Sequence, residues 1–390
     1  MEIDIDDLLQ ESESISDQEF LRRVTTDDTP DTAEEDTPEV SESKTESISE
    51  LVGRLKMWHE RCRDLFVDLR MIVYEISDED SWIEFKDKSY YGSKLYFKTD
   101  PQKPKDPKII YATKQLCKII GIPYSFFAAC RPSLKMNIVK TWQAGLADDT
   151  KKSQNVLKIR ESKDCSIIRA VTPTSKSIIP LCDLIQIIQE TLTVPYNLDC
   201  VYGDEKDDLC LHARFLFEKE YTFNGPVNLG FSVTASEIDA CPLSIDVLLY
   251  NKVNKTYCIA NYGAGAFFLS DYTGLQPSSI RDIIPAMLNR LEEEVQEIFS
   301  RLRKKQEEAT DFCAETDALD ICKAKGLTSK IRKAIYHQVS ELIESIKSPW
   351  DLAMHVGLVA KDFEFQKRIA VERAIGNYLN LFFSEGAGSK

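Results

Sequence analysis

The net charge of this chain is concentrated in its first fifty residues. Residues 1–50 contain 18 Asp and Glu residues against three Lys and Arg residues, a net charge of −15. The whole chain of 390 residues also has a net charge of −15, so residues 51–390 balance, with 46 basic and 46 acidic residues. A stretch this acidic buries too little apolar surface to offset the entropy that ordering would cost. The sequence therefore predicts a disordered acidic arm attached to an electrically neutral folded body.

Beyond the arm, the spacing of apolar residues divides the body into two regions. Residues 51–277 contain helices and short strand patterns in local hairpins, such as Val156–Glu161 with Cys165–Thr172. Local hairpins of this kind are typical of an α+β fold rather than of alternating βαβ units. Residues 278–390 instead show long amphipathic stripes, and the dipeptide Ser348-Pro349 is a helix-start signal. We expect an antiparallel, hairpin-rich sheet region with helices, followed by a C-terminal helical region.

The first helix of the body is predicted to begin after Ser47 or Ser49, and Ser47 forms a capping-box pattern with Glu50. Apolar residues at three-and-four spacing then continue from Leu51 as far as Ile72 and predict one long amphipathic helix. Further along the chain, the same periodicity predicts a helix over Tyr124–Thr141. The body is therefore expected to begin with a helix that packs a single apolar stripe against the core.

Sequence patterns also exclude several classes of protein. The chain has no run of 18 or more apolar residues, so no transmembrane helix is predicted. The N-terminus lacks the basic and apolar regions of a signal peptide, so we expect a cytoplasmic protein without a membrane partner. The 11 cysteines include no CxxC pair and no zinc-finger spacing, which favours reduced thiols over a disulfide framework or a zinc site.

Catalytic signatures are absent from the sequence. It contains neither a glycine-rich phosphate loop nor a Gly-x-Ser-x-Gly elbow, so we expect no enzymatic activity, no cofactor and no metal site. One arrangement leaves an alternative open. Asp204 and Asp207 lie in an acidic turn shortly before His212, and carboxylate oxygens suit a hard cation. This arrangement would support a metal-dependent nuclease, and a solvated hairpin turn is its structural alternative.

A basic segment lies within the neutral body. Residues 86–176 contain 19 Lys and Arg residues against seven Asp and Glu residues, a net charge of +12, with aromatic residues interleaved. Cations that follow phosphates and rings that stack on bases are what sequence-tolerant binding of single strands requires. The candidate phosphate contacts are Lys151, Lys152, Lys158, Arg160 and Arg169, and the candidate stacking rings are Tyr96, Phe97 and Trp142. The alternative is that these cations line a solvated face and that the rings belong to the core.

Three groups of motifs form a pattern between about residues 150 and 380. They are Leu157–Arg160 with Ile168–Thr172, then Asn228–Glu237 with Cys258–Gly263, and finally Ser348–Leu352. The pattern resembles an uncharacterised family of phage, plasmid and prophage proteins that carries a domain of unknown function. This chain departs from the family pattern at Tyr262 and in its acidic arm. The resemblance implies a mobile-element protein in a bacterial cytoplasm, and it implies no catalytic residues.

Together, the arm, the basic segment and the resemblance suggest a function. The leading interpretation is a phage-type, non-enzymatic protein that contacts nucleic acid, for example single-stranded DNA in replication or recombination. The tethered acidic arm would then act as an internal competitor at high effective concentration. The second interpretation is a protein–protein adaptor or virion-associated component. In that case, apolar residues within Met1–Gln10 bind a protein partner, and the C-terminal helices form an assembly surface, including that of a homo-oligomer.

Overall fold

The fold of the chain was obtained as a computed structural model. It describes residues 47–68, 72–76, 81–85, 94–97, 107–147, 156–162, 167–174, 179–192, 194–202, 211–238, 243–260, 268–269, 282, 296–307, 312–324, 326–363 and 365–379. The acidic arm predicted for residues 1–50 lies outside the described residues as far as Glu46. Helices occur together with antiparallel sheets, and helices make up the described C-terminal region, so the predicted α+β class is confirmed.

Helices and strands follow one another irregularly along the chain. The α-helices are α1 (Ile48–Glu60), α2 (Pro107–Ile120), α3 (Tyr124–Ala129), α4 (Pro132–Ala147), α5 (Leu181–Thr191), α6 (Ala314–Cys322), α7 (Ser329–Glu341), α8 (Pro349–Val359) and α9 (Phe365–Tyr378), and residues 296–307 are also helical. The strands are β1 (Cys62–Asp68), β2 (Ile72–Ile76), β3 (Ser81–Phe85), β4 (Lys94–Phe97), β5 (Val156–Ser162), β6 (Ile167–Pro173), β7 (Tyr196–Tyr202), β8 (Leu211–Thr222), β9 (Pro226–Ala235), β10 (Leu243–Asn251), β11 (Thr256–Ala260) and β12 (Phe268–Leu269). No helix in the described part of the chain is both long enough and apolar enough to cross a membrane.

Helix α1 begins as the sequence predicts but ends earlier. The backbone N–H of Ser47 donates to the Glu50 carboxylate at 2.7 Å, and the Glu50 N–H donates to Ser47 Oγ at 3.3 Å, so the capping box is confirmed. The predicted continuation of the helix to Ile72 is wrong, because α1 ends at Glu60 and β1 follows. Within β1, buried Leu65 and Val67 alternate with exposed residues, which is the two-residue period of a strand.

The first sheet is curled. Its strand order is β1-β5-β6-β4-β3-β2, and every neighbouring pair is antiparallel except the parallel pair β4 and β6. Strands β1 and β2 are its two edges, although only residues 69–71 separate them in sequence. Five strand spacings of about 4.8 Å would hold the edges of a flat sheet about 24 Å apart. Four Cα steps of about 3.8 Å reach about 15 Å at most, so the sheet must bend its edges toward each other.

The second sheet is an antiparallel meander in the order β11-β10-β9-β8-β7, and β12 also pairs with β10. A bulge interrupts β8, where residues 217–219 lie opposite the single residue Leu229 of β9. The side chain of Asn228 stabilises this bulge, because its Nδ2 donates to the carbonyl oxygens of Phe217 at 2.9 Å and Lys219 at 3.2 Å. Backbone groups that the bulge removes from the ladder thus keep hydrogen-bond partners.

Each sheet packs against its own set of helices. The larger core joins the second sheet to α1, α5 and the C-terminal helices, and its fully buried members include Leu51, Ile185, Phe215, Phe231 and Leu352. The smaller core joins the first sheet to α2, α3 and α4, and its members include Leu65, Tyr74, Leu116, Phe127 and Val139. The helices of the basic segment are therefore the layer that covers the first sheet.

Glu237, which follows β9, ties three elements together. Its Oε1 accepts a hydrogen bond at 2.7 Å from the backbone N–H of Leu181, the first residue of α5. Its Oε2 lies 3.0 Å from Nδ1 of His59, in the last turn of α1. A carboxylate at a helix N-terminus is stabilised by the free N–H groups of the first turn. The buried Glu237 therefore has a structural role at this junction.

Gln115 of α2 links the two sheets. Its side-chain Nε2 donates to the carbonyl oxygen of Ile238, next to Glu237, at 2.7 Å. Its Oε1 accepts from the backbone N–H of Val171 in β6 at 2.8 Å. One buried amide thus satisfies a backbone group on each side of the junction, which fixes the basic helix layer relative to both sheets.

Candidate nucleic-acid interface

Most of the residues predicted to contact nucleic acid lie on three neighbouring strands of the first sheet. These residues are Lys158 and Arg160 on β5, Arg169 on β6, and Tyr96 and Phe97 on β4. In the strand order, β6 lies between β5 and β4. The sheet therefore brings together five residues that the sequence placed in separate segments.

Burial limits what two of the predicted residues can contact. Lys158 is only 8 % exposed, which leaves its ammonium group little access to a phosphate. Trp142 on α4 is half-buried and packs against the core beneath the helices, so much of its ring surface is in contact with the core and is not available for stacking. Lys151 and Lys152 lie outside the described residues and stay predictions.

Helices α2, α3 and α4 form a basic layer over the first sheet. Residues 107–147 contain six Lys and Arg residues and no Asp or Glu. The prediction of one helix over Tyr124–Thr141 is wrong in one respect, since the structure interrupts it at Cys130 and Arg131. The interruption follows from Pro132, because proline lacks a backbone N–H and disfavours the helical conformation in the residue before it.

Helical spacing turns the cations of this layer toward solvent. In α2, Leu116 and Ile120 are buried in the core. Lys114 and Lys118 are exposed and lie one helical turn apart on the opposite side of α2. Lys140 is likewise exposed on α4. The apolar stripe that holds each helix on the sheet therefore also determines which way its lysines point.

Contacts with α3 bring a cation of α2 and a cation of α4 close to this short helix. Lys114 Nζ lies 5.4 Å from the centre of the Tyr124 ring, which links α2 to α3. Lys135 Nζ lies 5.8 Å from the centre of the Phe127 ring, which links α4 to α3. Burial raises the pKa of the Cys117 thiol of α2 to about 11, and the nearby positive charge of Lys135 opposes this rise. Lys135 is therefore close to α2 as well as to α3.

We give the name basic helix face to the exposed and half-buried cations of this layer, which are Lys114, Lys118, Arg131, Lys135 and Lys140. Within the described part of the chain, none of the five forms an ion pair with a carboxylate. Exposed lysines elsewhere do form such pairs, as Lys252 does with Glu220 at 2.5 Å and Lys323 with Asp320 at 3.0 Å. The charge of the basic helix face is therefore available to an external anion.

Two apolar side chains are exposed next to these cations. Phe126 is 54 % exposed and Leu134 is 45 % exposed, whereas the neighbouring Phe127 is buried. Phe126 and Leu134 immediately precede Phe127 and Lys135, the two residues in contact across α3 and α4. An aromatic ring beside unpaired cations is the combination that binds the bases and phosphates of a single strand.

Sequence reasoning favoured the strand cations and missed those of the basic helix face. The overlooked signal is the distribution of acidic residues, because all seven Asp and Glu residues of the segment 86–176 lie outside residues 107–147. A stretch without carboxylates keeps its cations free of local ion pairs. The packing of α2 and α4 against α3 is what brings cations of the two helices close together.

The position of His212 in the fold is explained by its contacts with protein groups. The acidic turn with Asp204 and Asp207 lies outside the described residues. His212 is fully buried on β8, and its Nε2 accepts a hydrogen bond from Arg214 Nε at 3.0 Å. The ring proton is therefore on Nδ1, which donates to Thr234 Oγ1 at 2.7 Å. Both ring nitrogens have protein partners, and within the described ranges no group of three His, Cys, Asp or Glu side chains is arranged to hold a metal ion.

His212 belongs to a buried charge network that joins the second sheet to α9. Arg214 donates two hydrogen bonds to Glu372, from Nη1 to Oε1 at 3.1 Å and from Nη2 to Oε2 at 2.5 Å. Arg368 also donates from Nε to Glu372 Oε1 at 3.0 Å. The guanidinium carbon of Arg214 lies 4.1 Å from the centre of the Tyr257 ring. Each buried charge thus has a partner of opposite sign, which gives the network a structural role.

The free energy of unfolding is expected to decrease as the pH falls below about 6.5, the ordinary pKa of histidine. Burial, reinforced by the positive charges of Arg214, Arg373 and Arg368, holds the pKa of His212 well below that value. In this window the unfolded chain binds a proton at His212 and the folded protein does not, so falling pH favours unfolding by up to about 1.4 kcal/mol per pH unit. Urea denaturation at several pH values checks this.

The matched variants for that measurement are His212→Gln and His337→Gln. His337 is exposed on α7, so its replacement is the control for removing a surface histidine. Replacing His212 should flatten the dependence below pH 6.5 because the titrating group is removed. Identical pH dependences in the wild type and in His212→Gln would contradict the prediction.

Comparison with known proteins leaves the function to be argued from the geometry of the basic helix face. No protein-family model, no curated protein and no solved structure matches the chain.

Proposed function

We propose that this protein is a non-enzymatic nucleic-acid-binding protein that contacts single strands, such as the single-stranded DNA of replication or recombination, through the basic helix face. The observation that carries the proposal is a surface of five cations with no carboxylate partner among the described residues. Cations of this kind gain affinity for nucleic acid by releasing the counterions of the phosphates. The exposed ring of Phe126 favours single strands, because unpaired bases offer a face for stacking and paired bases do not.

An origin in a phage, plasmid or prophage, which the sequence motifs predict, is part of this proposal. Mobile elements pass through single-stranded intermediates when they replicate and recombine, and a phage-type protein that covers such strands needs no catalytic residue and no cofactor. Arg160 on β5 and Tyr96 and Phe97 on β4 stay additional predicted contacts in this proposal.

The test is a titration of a fluorescent oligothymidine with the full-length protein, followed by anisotropy at several salt concentrations. Replacing Lys118, Arg131 and Lys140 with Gln should lower the slope of log affinity against log salt by about 2, since each lost phosphate contact to a single strand removes about 0.7. Phe126→Ala should weaken binding by about 1–3 kcal/mol, roughly 5- to 150-fold, with an unchanged slope, because it removes a stacking ring and no charge.

The matched control replaces Lys330, Lys333 and Lys347 with Gln. These lysines are exposed in the C-terminal helical region, so the control has the same change in net charge at a different place. Its salt slope should equal that of the wild type. Equal decreases of the salt slope in the two triple variants would show that the basic helix face is not the binding surface. Absence of binding to any oligonucleotide by every variant at low salt would overturn the proposed function in favour of the adaptor interpretation.

A further inference from the structure

We infer that Met1–Gln10, the first segment of the acidic arm, docks on the basic helix face and competes there with nucleic acid. The competition rests on the proposed function, whereas the docking itself does not. The occupant of the surface is therefore a named segment of the same chain, which lies outside the described residues.

Charge makes this segment complementary to the basic helix face. Met1–Gln10 contains four Asp and Glu residues and no Lys or Arg. The five cations of the basic helix face have no carboxylate partner within the described structure. An acidic segment can therefore supply counter-charges that the folded body does not, and it can displace solution counterions just as a phosphate chain would.

Apolar residues add a second complementarity. The segment carries four apolar side chains among its acids, Ile3, Ile5, Leu8 and Leu9. The surface carries the exposed side chains of Phe126 and Leu134 next to its cations. Contact between the two sets removes apolar surface from water at about 25 cal/mol per Å². Charge alone would attract any part of the arm, and the apolar contacts select this part.

The other apolar stretch of the arm is a poor competitor for the same surface. Phe20 and Leu21 are followed directly by Arg22 and Arg23, two of the three basic residues in residues 1–50. A basic surface repels these arginines. Phe20 and Leu21 therefore serve as a matched control, since they are apolar residues in the same arm with the wrong neighbouring charge.

The arm is long enough to reach the basic helix face. Residues 1–46 precede Ser47, the cap of α1, and α1 leads directly into β1 of the sheet that the basic helix layer covers. A coil of 46 residues has a root-mean-square span of about 35–40 Å. At an effective concentration of about 1 mM, a segment that binds with a Kd of about 0.1 mM would weaken nucleic-acid binding roughly tenfold.

Docking is tested first without nucleic acid. A labelled Met1–Gln10 peptide is titrated with full-length protein in which Ile3, Ile5, Leu8 and Leu9 are all replaced by Ser, so that its own arm does not compete. We expect saturable binding that weakens at least fivefold when Phe126→Ser is added, or when Lys118, Arg131 and Lys140 become Gln. A peptide of the same composition in scrambled order should bind at least fivefold more weakly.

Competition is tested next by oligothymidine titration at low salt. The fourfold Ser variant should bind the oligonucleotide about tenfold more tightly than the wild type, and the control Phe20→Ser with Leu21→Ser should match the wild type. No saturable peptide binding, or equal binding of the scrambled peptide, overturns the docking whatever the oligonucleotide does. If the variant with all four apolar residues replaced by Ser binds the oligonucleotide with the same affinity as the wild type, the arm does not compete with nucleic acid. If the peptide binds but no variant binds the oligonucleotide, the docking stands and the proposed function is wrong.

Discussion

Replacing Glu372 with Gln should lower the free energy of unfolding by about 3–5 kcal/mol, the usual cost of removing one partner of a buried ion pair. The substitution keeps the size of the side chain and removes the negative charge that Arg214 and Arg368 share. Arg214 is completely buried, and a guanidinium group stays protonated in proteins. Its charge would therefore remain in the core without a partner. Urea denaturation followed by circular dichroism measures the loss.

An exposed ion pair provides the matched control for this prediction. Glu220 pairs with Lys252 on the surface, where both side chains are more than 40 % exposed. Glu220→Gln should cost about 1 kcal/mol or less, because solvent already screens this pair. A double variant, Arg214→Met with Glu372→Leu, should be more stable than Glu372→Gln since it removes the completely buried charge of Arg214 together with its partner. Similar losses in Glu372→Gln and Glu220→Gln would show that the buried network is not what holds α9 on the sheet.

Replacing Gly230 with Ala should destabilise the protein by about 3 kcal/mol or more, at the upper end of the cost of overpacking a core. A Cβ at this position of β9 would lie 2.0 Å from the carbonyl oxygen of Phe215 and 3.0 Å from the Cα of Leu216. Both are backbone atoms of β8, so no side-chain rotation relieves the contact. The strands would have to separate next to the β8 bulge. Thermal and urea denaturation both report the loss.

Gly53 supplies a control of opposite sign for this experiment. It is exposed in the middle of α1, and nothing lies within 4 Å of the position where its Cβ would be. Gly53→Ala should stabilise the protein by up to about 1 kcal/mol, because Ala favours the helix. If Gly230→Ala unfolded at the same urea concentration as the wild type, the close approach of β8 and β9 would be refuted.

Local signals in the sequence correctly predicted the elements whose contacts lie within a few residues. The capping box of Ser47 and Glu50 is one case, and the cap at Ser348 is another, with Ser348 Oγ accepting from the Asp351 N–H at 3.1 Å. The antiparallel pair of β5 and β6 is a third case, because only residues 163–166 separate the two strands in sequence. In each case the interacting groups are recognisable side by side in the sequence.

Local signals failed where a distant segment supplies the stabilising contact. The stripe that continues past Glu60 suits a helix, but residues Cys62–Asp68 gain a full ladder of hydrogen bonds by pairing with β5, with Cys62 opposite Ser162. Tertiary pairing overrides a weak local preference in this way, because periodicity over a few residues does not contain the energy of a distant strand.

The same distinction between local and distant contacts applies to the candidate interface. The sequence by itself determined that residues 86–176 are basic, that the arm is acidic and that the class is α+β, because charge and local periodicity depend only on the order of residues. Only the tertiary structure decided that Lys158 is buried and that α3 lies between cations of α2 and α4. The physical reason is that burial and shared surfaces depend on which helices and strands pack together, and packing joins residues that are far apart in the chain.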